Sequence, residues 1–179
     1  MSFNFRSLKT EAVVLKKKSL LNRDVLISLF TQDLGRLTVF AKGVKKITSR
    51  RSPHLQTGNL INVLLSSRND HYYLQETQLV SGFSELKEDE NKVKQLYSFL
   101  FVLERLLPEQ QKEAKIYNLT KNFFIDLSKS EKKETVILKY LTQVMKSLGY
   151  LDKDVSQAEL VSLIEEIINE KIPKITIEV

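Results

Sequence analysis

The chain is 179 residues long and basic, with 28 Lys+Arg against 22 Asp+Glu, a net charge of +6 and no cysteine. The missing cysteine excludes disulfides, four-cysteine zinc ribbons and thiol nucleophiles, and two histidines, His54 and His71, make a histidine-rich metal centre an unfavoured reading. The longest apolar run, Phe99 to Leu103, falls far short of the about 20 residues a membrane span needs. The first ten residues carry no apolar core of a signal peptide, so the expectation is a cytoplasmic protein with no membrane partner.

The charge is uneven. Residues 1–80 hold 13 Lys+Arg against 5 Asp+Glu, and residues 81–179 hold 15 against 17. A basic half joined to a near-neutral half points to a polyanion at one end, with a solvated lysine-rich surface as the plain alternative.

In chain order, Glu11–Leu15, Val25–Phe30, Leu37–Ala41, Leu60–Leu65 and Tyr72–Val80 read as five strands. They are short, rich in Val, Ile, Thr and aromatics, and separated by Gly, Asn, Asp and Ser. Gly35 suits a hairpin between the second and third, and Asn69-Asp70-His71 suits one between the fourth and fifth. A longer polar stretch, residues 42–59, follows the third. That order is the five-stranded Greek-key OB barrel, although strand count alone leaves an SH3-like barrel open.

After Gly82 the period becomes 3.6. Val93 to Leu107, closed by Pro108, reads as one helix, Ile116 to Leu127 as a second, and Val136 to Leu148, closed by Gly149, as a third. The capping box Ser156-Gln157-Ala158-Glu159 opens a fourth helix, ended by Pro173, and Lys174 to Val179 alternate like an edge strand or tail. The predicted fold is therefore α+β: an OB barrel over residues 1–82 and an α-helical bundle over 83–179.

Phosphate-cradling loops are absent, because the five glycines form no Gly-x-Gly or Gly-x-x-x-x-Gly-Lys. His54 and His71 read as loop residues, and Asp24 and Glu76 as solvated carboxylates. The distinctive segment is Ala41 to Gln56, which carries Lys42, Lys45, Lys46, Arg50 and Arg51 with no acid. Its Thr48, Ser49 and Ser52 hydroxyls bond phosphate oxygens, and Gly43 lets the backbone come close to a ligand. Phe40, Tyr72 and Tyr73 lie near it in the strand map, and a basic groove with an aromatic platform is the chemistry for single strands. Core packing is the competing reading for these rings. Lys16-Lys17-Lys18 reads as a second basic run, in the loop between the first two strands.

Thr10-Glu11-Ala12-Val13-Val14-Leu15, Asp24-Val25-Leu26, Leu29-Phe30-Thr31, Gly35-Arg36-Leu37, Ala41-Lys42-Gly43, Ser49-Arg50-Arg51 and Leu55-Gln56 together resemble the amino-terminal domain of the RecO recombination-mediator family. Tyr140-Leu141 through Leu148-Gly149-Tyr150 is similar to the family's helix ending in Leu-Gly-Tyr. Asn22-Arg23-Asp24 departs from the Glu-x-Asp common in the family, the chain is shorter than typical members, and zinc is not carried over because the cysteine ribbon is missing.

The resemblance implies a protein that binds single- and double-stranded DNA, anneals complementary strands and helps load recombinase, without an enzymatic reaction or cofactor. It also implies a RecR-like partner, single-strand DNA-binding protein, and residence at the bacterial nucleoid. The expected phosphate contacts are Lys42, Lys45, Lys46, Arg50 and Arg51, followed by Lys16, Lys17 and Arg36. An RNA-binding OB module and a protein-interaction adaptor are the alternatives.

Overall fold

Alternating side chains and closed turns roll the first part of the chain into a barrel. A computed structural model describes residues 7–21, 24–44, 50–131 and 135–173. Its strands are β1 (Leu8–Ser19), β2 (Val25–Thr31), β3 (Gly35–Ala41), β4 (Leu60–Arg68) and β5 (His71–Ser81). They close in the order β1-β2-β3-β5-β4. Every pairing is antiparallel except β3 with β5, which is parallel through Val39↔Tyr72 and Phe40↔Tyr73. This is the OB topology, and the parallel seam decides what strand count left open.

β1 is longer than its apolar run. Its register with β2 shifts between Val14 and Lys16, after which Lys16, Lys17, Lys18 and Ser19 pair with Ser28, Ile27, Leu26 and Val25. The three lysines therefore belong to a strand and not to a loop, which corrects the expectation. The bulge relieves the alternation, so ladder bonds continue where the side chains turn to solvent. Asn69 and Asp70 both have positive φ, 50° and 59°, as a two-residue type I′ turn requires, and Arg68 pairs directly with His71.

The barrel interior is filled by Val14, Ile27, Leu29, Leu37, Val39, Ile61 and Leu65, all essentially inaccessible. A 3-10 helix, Ser52–Leu55, crosses the long connection and inserts Leu55 into the same cluster. Burying a leucine that fully contributes roughly 2 kcal/mol, so this connection is tied to the core. His54 is on that helix, and its Nδ1 meets Thr77 Oγ1 at 2.9 Å.

The chain forms two compact units: residues 1–82 with 107–114, and residues 83–106 with 115–179. The returning segment 107–114 is a strap on β3. β5 pairs with β3 only from Val39 onward, and the strap takes the edge below, where Glu109 bridges Arg36 in parallel and Gln110 N donates to Arg36 O at 2.9 Å. Arg36 Nε donates to Leu107 O at 2.8 Å, and Thr38 Oγ1 donates to Glu109 Oε1 at 2.7 Å. Tyr72 Oη donates to Gln110 Oε1 at 3.0 Å. Gly35, with φ of 74°, lies directly beneath: a Cβ there would sit 2.5 Å from the Gln111 carbonyl carbon.

The second unit contains α1 (Ser84–Lys87), α2 (Glu90–Leu106), α4 (Ile137–Ser147), α5 (Gln157–Ile168) and all of α3 (Ala114–Lys129) after its first residue. The one-turn α1 lies in the acidic stretch that carries no clear periodicity. Phe99, Phe123 and Tyr140 form an aromatic cluster, the first pair tilted with centroids 4.1 Å apart and the second edge-to-face at 5.5 Å. Buried Gln95 accepts from the amides of Val136 and Ile137 at 2.8 and 3.1 Å, which caps α4 from a neighbouring helix. The capping box at Ser156 and Glu159 is present, and Gly149 has φ of 81°. Among the described residues no helix is long and apolar enough to cross a membrane. The tail Lys174–Val179 lies outside the described residues.

Candidate nucleic-acid face

Cross-strand partners share a face of the sheet, so the registers alone define a row on the outside of the barrel. Lys18 pairs with Leu26, Leu26 with Phe40, Phe40 with Tyr73, and Tyr73 with Ser66. All five are at least partly accessible. Their neighbours Ala41, Val39 and Tyr72 point inward and are buried. Because adjacent residues on a strand face opposite ways, Tyr73 is on the surface while Tyr72 fills the core. Tyr72 is therefore removed from the expected aromatic platform, and Phe40 and Tyr73 remain in it.

Phe40 and Tyr73 stack, with centroids 5.8 Å apart and planes 29° apart, and the His71 ring packs edge-on against Phe40 at 5.8 Å. Lys42 Nζ lies 5.4 Å from the centre of the Tyr73 ring, within cation–π range. Together with Arg51, Ser66, Arg68 and Gln75, these residues line an open groove of about 600 Å³. His71 is thus a strand residue facing the groove, not a loop residue.

The expected basic residues take different positions. Lys42 and Arg50 are exposed, and Lys42 is in the groove. Lys16 shares the outer face of Lys18, while Lys17 alternates to the other side of β1. Arg36 has its Nε on Leu107 O and its Nη1 3.3 Å from Glu109, so part of its fork is taken by the strap. Arg51 donates from Nη2 to Lys42 O at 2.7 Å and from Nη1 to Leu74 O at 3.1 Å. Lys45, Lys46, Thr48 and Ser49 lie outside the described residues. Asp24 is not simply solvated, because its Oδ1 accepts from Gly43 N at 2.7 Å.

Leu26, Ser66 and Arg68 were not singled out by sequence. The signal for them is the period-2 alternation anchored on Phe40, which becomes usable only once the register is known. Among the described residues no group of three potential metal ligands occurs.

Comparison with known proteins finds similarity over the barrel and beyond it. A family profile described as "Recombination protein O N terminal" matches residues 1–83. The chain is 29% identical over 147 residues to a "DNA repair protein RecO" of Caldanaerobacter subterraneus subsp. tengcongensis, covering 82% of this chain and 60% of that one. A protein of the same description from Chlorobium limicola is 27% identical over 168 residues, covering 88% and 63%. One from a Thermoanaerobacter species is 24% identical over 147 residues, covering 82% and 59%. The chain thus spans about 60% of the length of these curated relatives.

Proposed function

Because the chain belongs to the RecO family through its first 83 residues, we propose that it is a DNA repair and recombination mediator that binds DNA on the outer face of its barrel. In this reading residues 1–82 with 107–114 form the DNA-binding unit. The chain anneals complementary strands, assists recombinase loading with a RecR-like partner and single-strand DNA-binding protein, and acts in the cytoplasm at the nucleoid. No covalent step is assigned to it.

One observation carries the reading: the stacked Phe40–Tyr73 pair, flanked by Lys42, Arg68 and Lys18 on a single face. Unpaired bases stack on such rings, and the cations hold the phosphates. Phosphate contacts carry no sequence information, so binding is sequence-tolerant. Lys42, Arg50, Lys16 and Lys18 are the phosphate contacts within the described residues, and Lys45 and Lys46 extend the same basic segment. Lys17 and Arg36 are secondary, the first by its orientation and the second by its bonds to the strap.

The test is a fluorescence titration of unrelated single-stranded DNA oligonucleotides with the wild-type chain and with the Phe40→Ala/Tyr73→Ala double variant, followed by annealing of complementary strands. The expected result is binding of all sequences by the wild type, and losses of both binding and annealing in a variant that stays folded. Unchanged binding by the folded double variant would remove the assigned face. Preferential binding of matched RNA would favour the RNA-module reading.

A further inference from the structure

We infer that Asp24 and Arg51 are positioning residues that close the base of the basic connection and hold Lys42 over Tyr73. The inference rests on the proposed nucleic-acid reading of that face. The connection leaves β3 at Ala41, and its outgoing end is held by Asp24, whose Oδ1 accepts from Gly43 N at 2.7 Å. The returning end holds the same place from the other side: the Arg51 fork donates to Lys42 O at 2.7 Å and to Leu74 O at 3.1 Å. Carbonyls on β5 and on the outgoing end are thereby bridged by one planar group, with Lys42 between the two clasps. Val44, next along, is buried in the core and fixes the direction of departure.

This arrangement explains two side chains that charge alone misassigns. Asp24 is an acid beside a surface meant for a polyanion, where it opposes binding electrostatically. Arg51 has the fork suited to a phosphate, yet both of its terminal nitrogens are committed to backbone oxygens. Each has a function in fixing the backbone that presents Lys42. A lysine cannot reproduce the Arg51 bridge, because its single ammonium does not span two carbonyls as a guanidinium does.

The sign of the effect separates this role from simple electrostatics. If Asp24 acts only through its charge, Asp24→Ala and Asp24→Asn tighten oligonucleotide binding equally. If it acts as a clasp, Asp24→Ala weakens binding although a negative charge has been removed, whereas Asp24→Asn keeps an acceptor for Gly43 N and binds as well as wild type or better. The expected loss in Asp24→Ala is roughly fivefold, the scale of one well-made hydrogen bond. For Arg51, a phosphate contact predicts that Arg51→Lys recovers most of the affinity lost in Arg51→Ala. A clasp predicts that the two variants bind alike.

The experiment titrates the full chain and these four variants against a labelled single-stranded DNA oligonucleotide at fixed salt. Thermal unfolding of each variant and hydrogen exchange of the Gly43 amide accompany the titrations. Weakened binding in Asp24→Ala with faster Gly43 exchange, normal binding in Asp24→Asn, and matched losses in the two Arg51 variants support the inference. Tighter or unchanged binding by Asp24→Ala, or rescue by Arg51→Lys, overturns it while the DNA reading stands. Absence of oligonucleotide binding by the folded wild-type chain overturns both. Should Asp24→Ala fail to fold, the Arg51 pair decides the question.

Discussion

Substituting Gly35 by alanine tests whether the strap is an integral part of the barrel. Gly35 has φ of 74°, a region that costs a residue with a Cβ about 1 kcal/mol. Gly149, with φ of 81°, carries the same backbone cost, but a Cβ there meets nothing within 4 Å. A Cβ on Gly35 instead meets the main chain of Gln111, which cannot swing aside as a flexible side chain would. The strap must lift. Lifting breaks the bonds next to Gln111: Gln110 N to Arg36 O, Tyr72 Oη to Gln110, and Thr38 Oγ1 to Glu109. At about 1 kcal/mol net for each bond, the expected loss for Gly35→Ala is about 4 kcal/mol, against about 1 kcal/mol for Gly149→Ala. A domain's whole stability is about 5 to 15 kcal/mol, so the difference is large. Urea unfolding of the full chain, with hydrogen exchange read separately over residues 25–41 and 137–149, measures each unit by itself. Equal losses for the two variants would refute the strap's role.

Four further outcomes are expected. Phe40→Ala and Tyr73→Ala each weaken single-strand binding by about tenfold in titrations, the scale of one base stacked on an aromatic ring, while Tyr72→Phe changes stability but not affinity. Replacing Lys45, Lys46 and Arg50 together by alanine flattens the slope of log affinity against log salt by about 2, since each single-strand phosphate contact contributes about 0.7; a change well under one unit would withdraw the contacts. A strong chelator leaves the thermal midpoint unchanged, as expected of a chain without cysteine, and a large drop would contradict that expectation. Finally, Tyr140 donates to Asp126 at 2.6 Å, and burial first, with the neighbouring carboxylate second, pushes its phenol up to about 12. A phenol pKa raised by folding contributes stability that is present below its usual value near 10 and is lost as pH rises toward 12. Denaturant titrations should show this alkaline loss in the wild type and not in Tyr140→Phe.

Much of the barrel was legible because each strand's residues are decided locally, by alternation and by turn residues such as Gly35 and Asn69-Asp70. What decides between barrel families is the parallel β3–β5 seam, a contact between distant strands with no local signature. The lysines after Leu15 read as a loop because their side chains are polar, whereas a bulge keeps their backbone in the ladder. Tyr72 and Tyr73 are chemically similar, and only the pairing with Val39 and Phe40 says which faces outward. Basic residues were counted as charges, yet Arg36 and Arg51 direct donors to carbonyls that no sequence pattern reveals. Pro108 read correctly as a helix stop, but nothing around it announces a return to β3.

That return has a consequence for the order in which the molecule can be completed. During synthesis all five strands emerge before Glu109 exists, and the edge of β3 from Gly35 to Thr38 must wait for a segment some seventy residues downstream. Between them the ribosome delivers α1 and α2, so two helices of the second unit are made before the barrel's last hydrogen bonds. Contacts of such long sequence separation form late and carry a high closure entropy. The nascent barrel therefore passes through a stage with an open sheet edge, the feature most prone to pairing with another chain. The expected outcome is that a fragment ending at Gly82 keeps this edge of β3 open, since residues 107–114 belong to the same compact unit.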